Sequence, residues 1–289
     1  METENTNNDT QTDDQLEIPN AIVVKIVDKL LPAAKAKLNP NFFSLNSKAL
    51  SKYGIIGIYA FAAVILILCT VLSFDMGFSY FLIGISVVIG CLLLLYIAVK
   101  FLTSPDTLIK SNPSQLSSQA FLDTVAVVTI FSGFLSLIGL TVVAILDKNV
   151  NYFLFGLGAF ILLELFACIP LHPEMVNIKF NKNLSGGEEA LGITSFFVKG
   201  FIKLTPIFFG SWVIIGCITL FLSFILNFSE PGYALPVATS AATMVIFASL
   251  LPLLNYLTFI FYYLTIDIIH SIISIPRKLD KAVLVKRSK

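Results

Sequence analysis

Charged residues are scarce in this chain, since only 13% of its 289 residues are Asp, Glu, Lys or Arg, whereas 56% are apolar. A soluble domain of this size usually carries about 25% charged residues. A chain with so few charges cannot cover its apolar surface with polar groups in water. The shortage excludes an ordinary soluble domain and predicts a protein that is embedded in lipid.

Imidazole and thiol groups are also few, and the familiar motifs of catalysis and metal binding are missing. The sequence has two His and four Cys residues, and it contains no HExxH, GxSxG or CxxC motif. It also lacks the Pro-x-acidic-x-x-basic signature of mitochondrial solute carriers and the Arg that follows the paired glutamates of CAAX-type intramembrane proteases. We therefore expect no catalytic residue, no cofactor and no metal site.

Long apolar runs are what the chain has in abundance. A helix that crosses the hydrocarbon core needs about 20 apolar residues, and six runs reach that length. They predict an all-α polytopic domain over residues 45–275, with six transmembrane helices arranged as three helical hairpins. The predicted spans are residues 54–74, 79–100, 120–146, 151–171, 205–228 and 234–272. Pro252 leaves open a division of the last run into two helices.

Basic residues decide how these spans are oriented. With six crossings, only Lys148 of the 19 Lys and Arg residues falls on one side, and the other 18 fall on the opposite side. Lys and Arg in short loops stay in the cytoplasm. A seventh crossing would place the basic C-terminal tail outside, so we interpret Pro252 as a kink. The expected localisation is integral and multi-pass, with cytoplasmic N- and C-termini, in a bacterial inner membrane.

Three segments outside the spans have distinct compositions. Residues 1–17 are polar and acidic, which predicts disorder. Residues 18–38 place apolar side chains on one helical face, which predicts an amphipathic helix in the membrane interface or, alternatively, one that is docked on a partner. Residues 276–289 form a basic cytoplasmic tail that we expect to contact anionic lipid. The net charge of +1 indicates no nucleic-acid partner.

An internal repeat is a further feature of the sequence. Similar segments begin at Leu45, Leu116 and Leu184, with spacings of 71 and 68 residues, and each precedes a pair of predicted spans. In the third segment, Ser185 and Glu188 have the spacing of a capping box. Two interpretations stay open: three two-helix units of the kind found in transporters, or helix starts that resemble one another because caps recur.

Glu164 is the only acidic residue well inside a predicted span. Ser132 and Ser136 of the preceding span, together with Ser211 and Trp212, lie at about the same depth and are its expected hydrogen-bond partners. A carboxylate in hydrocarbon costs at least ~2.5 to 3.5 kcal/mol on insertion scales, so we expect Glu164 to be neutral and to face the bundle interior or a wet cavity. We predict Glu164, Ser132 and Ser136 as an intramembrane polar site, with purely structural hydrogen bonding as the alternative.

Two functions compete on these observations. The first is a non-enzymatic integral membrane protein, acting as a subunit, anchor or accessory factor of a membrane complex or membrane process. Its expected partners are the lipid bilayer and either a protein partner or further copies of the chain in a homo-oligomer. The alternative is a small-solute or ion transporter or channel that is built from three two-helix repeats, with Glu164 on the pathway.

Overall fold

A computed structural model describes residues 22–148, 150–229 and 231–287. In these ranges the chain forms seven α-helices, one 3-10 helix and two short strands. Their order is α1 (Ile22–Lys37), α2 (Pro40–Met76), α3 (Ser79–Ser111), β1 (Ser114–Leu116), α4 (Gln119–Leu146), α5 (Val150–Leu171), the 3-10 helix (Pro173–Val176), β2 (Ile178–Phe180), α6 (Gly186–Ser229) and α7 (Pro231–Arg287). Residues 1–17, for which disorder was expected, lie outside the described part of the chain.

Six helices, α2 to α7, are long and apolar enough to cross a membrane. The described part of the chain therefore contains as many helices able to cross a membrane as the sequence predicts. Several helices are much longer than their predicted spans, since α3 continues from residue 100 to Ser111 and α6 begins at Gly186 rather than at residue 205. Pro252 lies inside the single helix α7, so the last apolar run forms one helix.

Four of the long helices close around one apolar core. α2 packs against α3 and α6, and α7 packs against the same two helices. The interior of this four-helix bundle is filled by large side chains, among them Ile58, Phe61, Leu68, Leu95, Phe209, Val213, Leu220 and Val245. Most residues of these helices are apolar, and the helix crossings determine that these particular side chains are buried.

The crossing of α2 and α6 depends on glycine. A Cβ atom on Gly210 would lie 2.1 Å from the carbonyl oxygen of Leu50, and a Cβ on Gly54 would lie 2.8 Å from the Cα of Gly210. Atoms cannot approach one another so closely, and a backbone carbonyl cannot rotate away as a side chain can. Gly54 and Gly210 therefore set the distance between the two helix axes at this point.

The pair α4 and α5 is packed differently. These two helices contact each other along their length, but few residues join them to the four-helix bundle. The junction is a second apolar cluster near the two strands, where Phe121 of α4 meets Phe196 of α6 and Phe166 of α5 stacks on Phe201 of α6. Away from this cluster, α4 leaves large side chains such as Leu135 exposed.

Two three-residue strands, which the sequence analysis did not predict, connect the ends of α3 and α5. β1 and β2 pair in parallel, with Ser114 opposite Ile178 and Leu116 opposite Phe180. Leu116 and Ile178 are buried in the second apolar cluster. Pairing these strands fixes the segment that follows α3 against the segment that follows α5, and both lie beside the start of α6.

α1 is a helix over most of the segment 18–38, as the sequence predicts. The part of its apolar face that the structure describes, Val27, Leu30 and Leu31, borders an apolar groove of about 430 Å³ that is shared with Phe131 and Phe134 of α4. The side chains of residues 22–26 lie outside the description. The location of α1 in the membrane interface stays a prediction.

Candidate functional site

Glu164 of α5 faces α4. Its Oε1 atom lies 3.3 Å from the position that a Cβ on Gly133 would occupy, and Phe160 and Leu163 line the same contact. This oxygen is buried, and no described residue gives it a hydrogen-bond partner. The structure therefore places the carboxyl group at the contact between α4 and α5, next to Gly133, a position on α4 that has no side chain.

The two serines that the sequence groups with Glu164 flank Gly133 but do not bond to the carboxyl group. Ser136 Oγ donates instead to the carbonyl oxygen of Gly133 in its own helix, at 3.2 Å. Ser132 is exposed. The expected hydrogen bonds from these serines to Glu164 are therefore not formed, because α4 presents Gly133 to α5. The prediction that an intramembrane polar site includes Glu164, Ser132 and Ser136 stays a prediction.

A buried polar cluster around Lys199 lies where α3, β1, α6 and α7 meet, and sequence reasoning did not find it. Lys199 of α6 is 0% exposed. Its Nζ atom donates to Ser114 Oγ at 2.7 Å and to the carbonyl oxygen of Asn112. Ser114 Oγ lies 2.6 Å from Ser195 Oγ, which lies 3.0 Å from the hydroxyl of Tyr263. We call these five residues the Lys199 cluster.

The end of helix α3 explains why an ammonium group is buried there. Asn112 is the C-cap residue of α3, and the C-terminus of a helix carries a partial negative charge with unpaired carbonyl groups. Lys199 bonds to the last of these carbonyls, and the side-chain amide of Asn177 donates to those of Ile109 and Lys110 at 3.2 and 2.8 Å. A buried charge is tolerated only when it is hydrogen-bonded, and the helix end supplies the acceptors.

Two glutamates at the start of α6 accept hydrogen bonds from backbone N–H groups at helix N-termini. Glu189 accepts hydrogen bonds from the backbone N–H groups of Ser117 and Ser118, at 2.6 and 3.4 Å, just before α4 begins. Ser185 N–H donates to Glu188 Oε2 at 2.9 Å, and Glu188 N–H donates to Ser185 Oγ at 3.4 Å. The capping box that the sequence predicts is thus confirmed, and its neighbour Glu189 caps a different helix.

A cavity of about 340 Å³ opens beside the Lys199 cluster and is lined in part by Ser114, Ser195 and Tyr263. A serine next to a lysine is also the arrangement of Ser–Lys hydrolases. In this chain, however, the lysine also bonds to the end of α3 and the Ser114 hydroxyl also lies against Ser195 and Tyr263. Helix packing accounts for each of these contacts, so the geometry favours a structural junction.

Other groups that could hold a ligand do not converge. Among the described residues, no three His, Cys, Asp or Glu side chains come together as a metal site. His172, which follows α5, has Nδ1 at 3.1 Å from Glu174 Oε1 and Nε2 at 3.3 Å from the carbonyl oxygen of Lys35. These contacts connect the end of α1 to the end of α5.

Comparisons of the chain with protein-family models, with curated proteins and with solved structures give no match. The class of protein is therefore defined by the fold: six apolar helices, each long enough to cross a bilayer, suggest an integral multi-pass membrane protein.

Proposed function

We propose that the chain is a non-enzymatic integral membrane protein that acts as a subunit, anchor or accessory factor of a membrane complex or process. The observation that carries this proposal is the uneven packing of the spans. In the 18-residue apolar window of each span, 39% of the residues are buried in α2, α5 and α6, against 11% in α4. The corresponding shares in α3 and α7 are 22% and 28%, so α4 is the least covered of the six spans. Its free surface beyond the contact with α5 is the surface that would bind another transmembrane helix.

The apolar filling of the four-helix bundle supports the same proposal. A pathway for ions or polar solutes needs polar or water-filled lining. Phe209, Val213 and Leu220 of α6 instead pack against Ile58 and Leu68 of α2 along the bundle axis.

The proposal includes an arrangement of the spans as three hairpins in a bacterial inner membrane. Both termini would lie in the cytoplasm, as the distribution of Lys and Arg favours.

Site-specific photo-crosslinking in native membranes tests the role of α4. A photo-reactive residue at Leu135, which is 72% exposed on α4, is compared with the same residue at Leu93, which is 62% exposed on α3. We expect a discrete protein adduct from position 135 and lipid adducts alone from position 93. An adduct of twice the mass of the chain identifies a homo-oligomer, and lipid adducts alone at both positions overturn the proposal.

A transporter or channel for small solutes or ions is the second candidate, and Glu164 favours it. An acidic group with a buried, unpartnered oxygen in a span is a common mark of an ion or proton pathway. Reconstitution of the purified chain alone into vesicles, followed by measurement of proton, cation and solute flux, separates the two candidates. Flux from the isolated chain would contradict the accessory role and support the transport function.

A further inference from the structure

A groove with both polar and apolar walls opens between α2, α3 and α6. It consists of two adjoining cavities of about 250 and 490 Å³, and both are lined by Lys48, Leu102, Asp106 and Pro206. We call it the three-helix groove. Its lining residues include neither Glu164 nor any residue of the Lys199 cluster, and none of the functions considered above uses it.

The walls of the groove change from polar to apolar along α2. Lys48 and Lys52 are one turn apart, and the next turn brings Ile55 and Ile56 to the same groove. The predicted spans begin at residue 54 in α2 and residue 205 in α6, so the lysines lie just outside the hydrocarbon and the isoleucines just inside it. The groove therefore crosses the level at which phospholipid headgroups meet their acyl chains.

Two of the three lysines in the groove form no ion pair with a described residue and can bind an anionic ligand. Lys203 Nζ lies 2.6 Å from Asp106 Oδ1, so these two charges compensate each other. Lys48 and Lys52 are exposed, and neither forms an ion pair with a described residue. Three lysines and one aspartate line the groove, which gives it a formal charge of 3 − 1 = +2. Such a charge at the membrane surface attracts anionic lipid.

We propose that the three-helix groove binds an anionic phospholipid, with Lys48 and Lys52 contacting the headgroup phosphate and one acyl chain lying along Ile55 and Ile56. Ammonium groups are strong partners for phosphate oxygens because their hydrogen bonds are charge-assisted. The hydroxyl groups of Ser47 and Ser51 line the same wall and can donate to the remaining oxygens. A net positive groove selects an anionic lipid over a zwitterionic one, and its apolar wall selects a lipid over free phosphate.

Lipid binding to the full chain tests this proposal. Detergent-purified protein is titrated with phosphatidylglycerol and with phosphatidylcholine, each carrying the same fluorescent label on an acyl chain. Wild type is compared with Lys48→Gln/Lys52→Gln and with the control Lys179→Gln/Lys182→Gln. The control removes two exposed lysines outside the groove and changes the net charge equally.

Wild type and the control are expected to bind phosphatidylglycerol in preference to phosphatidylcholine. The variant of Lys48 and Lys52 should bind it about 30-fold more weakly, because each lysine near a membrane surface contributes a factor of about five. Equal weakening in both double variants would attribute the binding to general charge and overturn the site. Displacement of the lipid by equimolar inorganic phosphate would show that the ligand is free phosphate, which also overturns the proposal.

Loss of folding must be separated from loss of binding. Both lysines are exposed, so Lys48→Gln/Lys52→Gln should elute as a single species in size-exclusion chromatography and have the same melting temperature as wild type. The single variant Lys52→Gln provides a second measurement, for which we expect about fivefold weaker binding of phosphatidylglycerol and unchanged binding of phosphatidylcholine. Unchanged affinity for phosphatidylglycerol in this variant contradicts the assignment of Lys52.

Discussion

Glu189, in the first turn of α6, accepts a hydrogen bond from the backbone N–H of Ser117 at 2.6 Å, although 72 positions separate the two residues. Ser117 immediately precedes the N-cap residue of α4, which is Ser118. The carboxylate therefore lies near two helix N-termini, that of α4 and that of α6, and both favour a negative charge. This contact fixes where α4 starts relative to α6, at the junction between the pair α4 and α5 and the four-helix bundle.

Replacement of Glu189 tests the importance of this cap. We expect Glu189→Ala to lower the free energy of unfolding by about 0.5–2 kcal/mol, the usual cost of losing a helix cap. Glu189→Gln should cost less, because its side-chain carbonyl can still accept one bond. Thermal melting in detergent measures the difference, with Glu174→Ala as a control, because that carboxylate is 65% exposed and its ion pair with His172 therefore contributes little. Equal melting of Glu189→Ala and the control would contradict the cap.

Lys199 should tolerate a neutral side chain better than a negative one. Lys199→Met keeps much of the length and packing, loses the hydrogen bonds to Asn112 and Ser114, and removes the cost of burying a charge, so we expect a loss of about 1–3 kcal/mol. Lys199→Glu would place a carboxylate against the carbonyl groups at the end of α3, and we expect little folded protein. Size-exclusion chromatography and melting report both outcomes.

A matched charge reversal away from the cluster is the control for Lys199. Lys182 is exposed in the segment between β2 and α6, and Lys182→Glu should leave elution and melting unchanged. If Lys199→Glu folds and has the same melting temperature as Lys182→Glu, the ammonium of Lys199 does not stabilise the end of α3.

Gly210 should be intolerant of even a methyl group. In Gly210→Ala the new Cβ would lie 2.1 Å from the carbonyl oxygen of Leu50, so α2 and α6 must separate, at a cost of about 1–3 kcal/mol. Gly139→Ala on α4 is the matched control, because no atom lies within 4 Å of its new Cβ. Melting of the two variants in detergent checks the prediction, and equal stability would show that the close crossing is not required.

Glu164→Gln distinguishes a structural carboxyl group from a titrating one. Glutamine keeps the shape of a protonated glutamic acid, so a structural role predicts wild-type folding, wild-type crosslinking from Leu135 and no change in any flux. A role in proton or cation movement predicts normal folding with loss of flux in vesicles. Gly133→Ala, which places a methyl group 3.3 Å from Glu164 Oε1, is a second variant that should disturb the same contact.

The topology follows from the placement of Lys and Arg and can be tested with reporter fusions. Fusions expected to report the cytoplasm are those after residue 20, within residues 105–115, within residues 180–190 and after residue 289. Fusions near Asp75, Asp147 and Glu230 should report the far side. A C-terminus that reports the far side would contradict the orientation and the even number of crossings.

Local features were the ones that could be predicted from the sequence. A span needs about 20 consecutive apolar residues, so the number of spans follows from hydropathy alone. The capping box of Ser185 and Glu188 was predictable for a similar reason, since both partners lie within one helical turn. The segment at Leu45 resembles the other two capping segments but lies inside α2, which begins at Pro40 after its N-cap Asn39. Resemblance at this position therefore did not indicate a helix start.

The sequence by itself determined that the chain is helical, apolar and able to cross a membrane six times, because lipid demands internally bonded backbones of a minimum length. Only the tertiary structure decided which helices are neighbours. It paired Glu189 with Ser117, buried Lys199 against Ser114, and placed Gly133 rather than either serine opposite Glu164. Nearly every helix here is apolar on most of its faces, so periodicity carries no information about the buried side, and contacts between distant residues depend on how the helices cross.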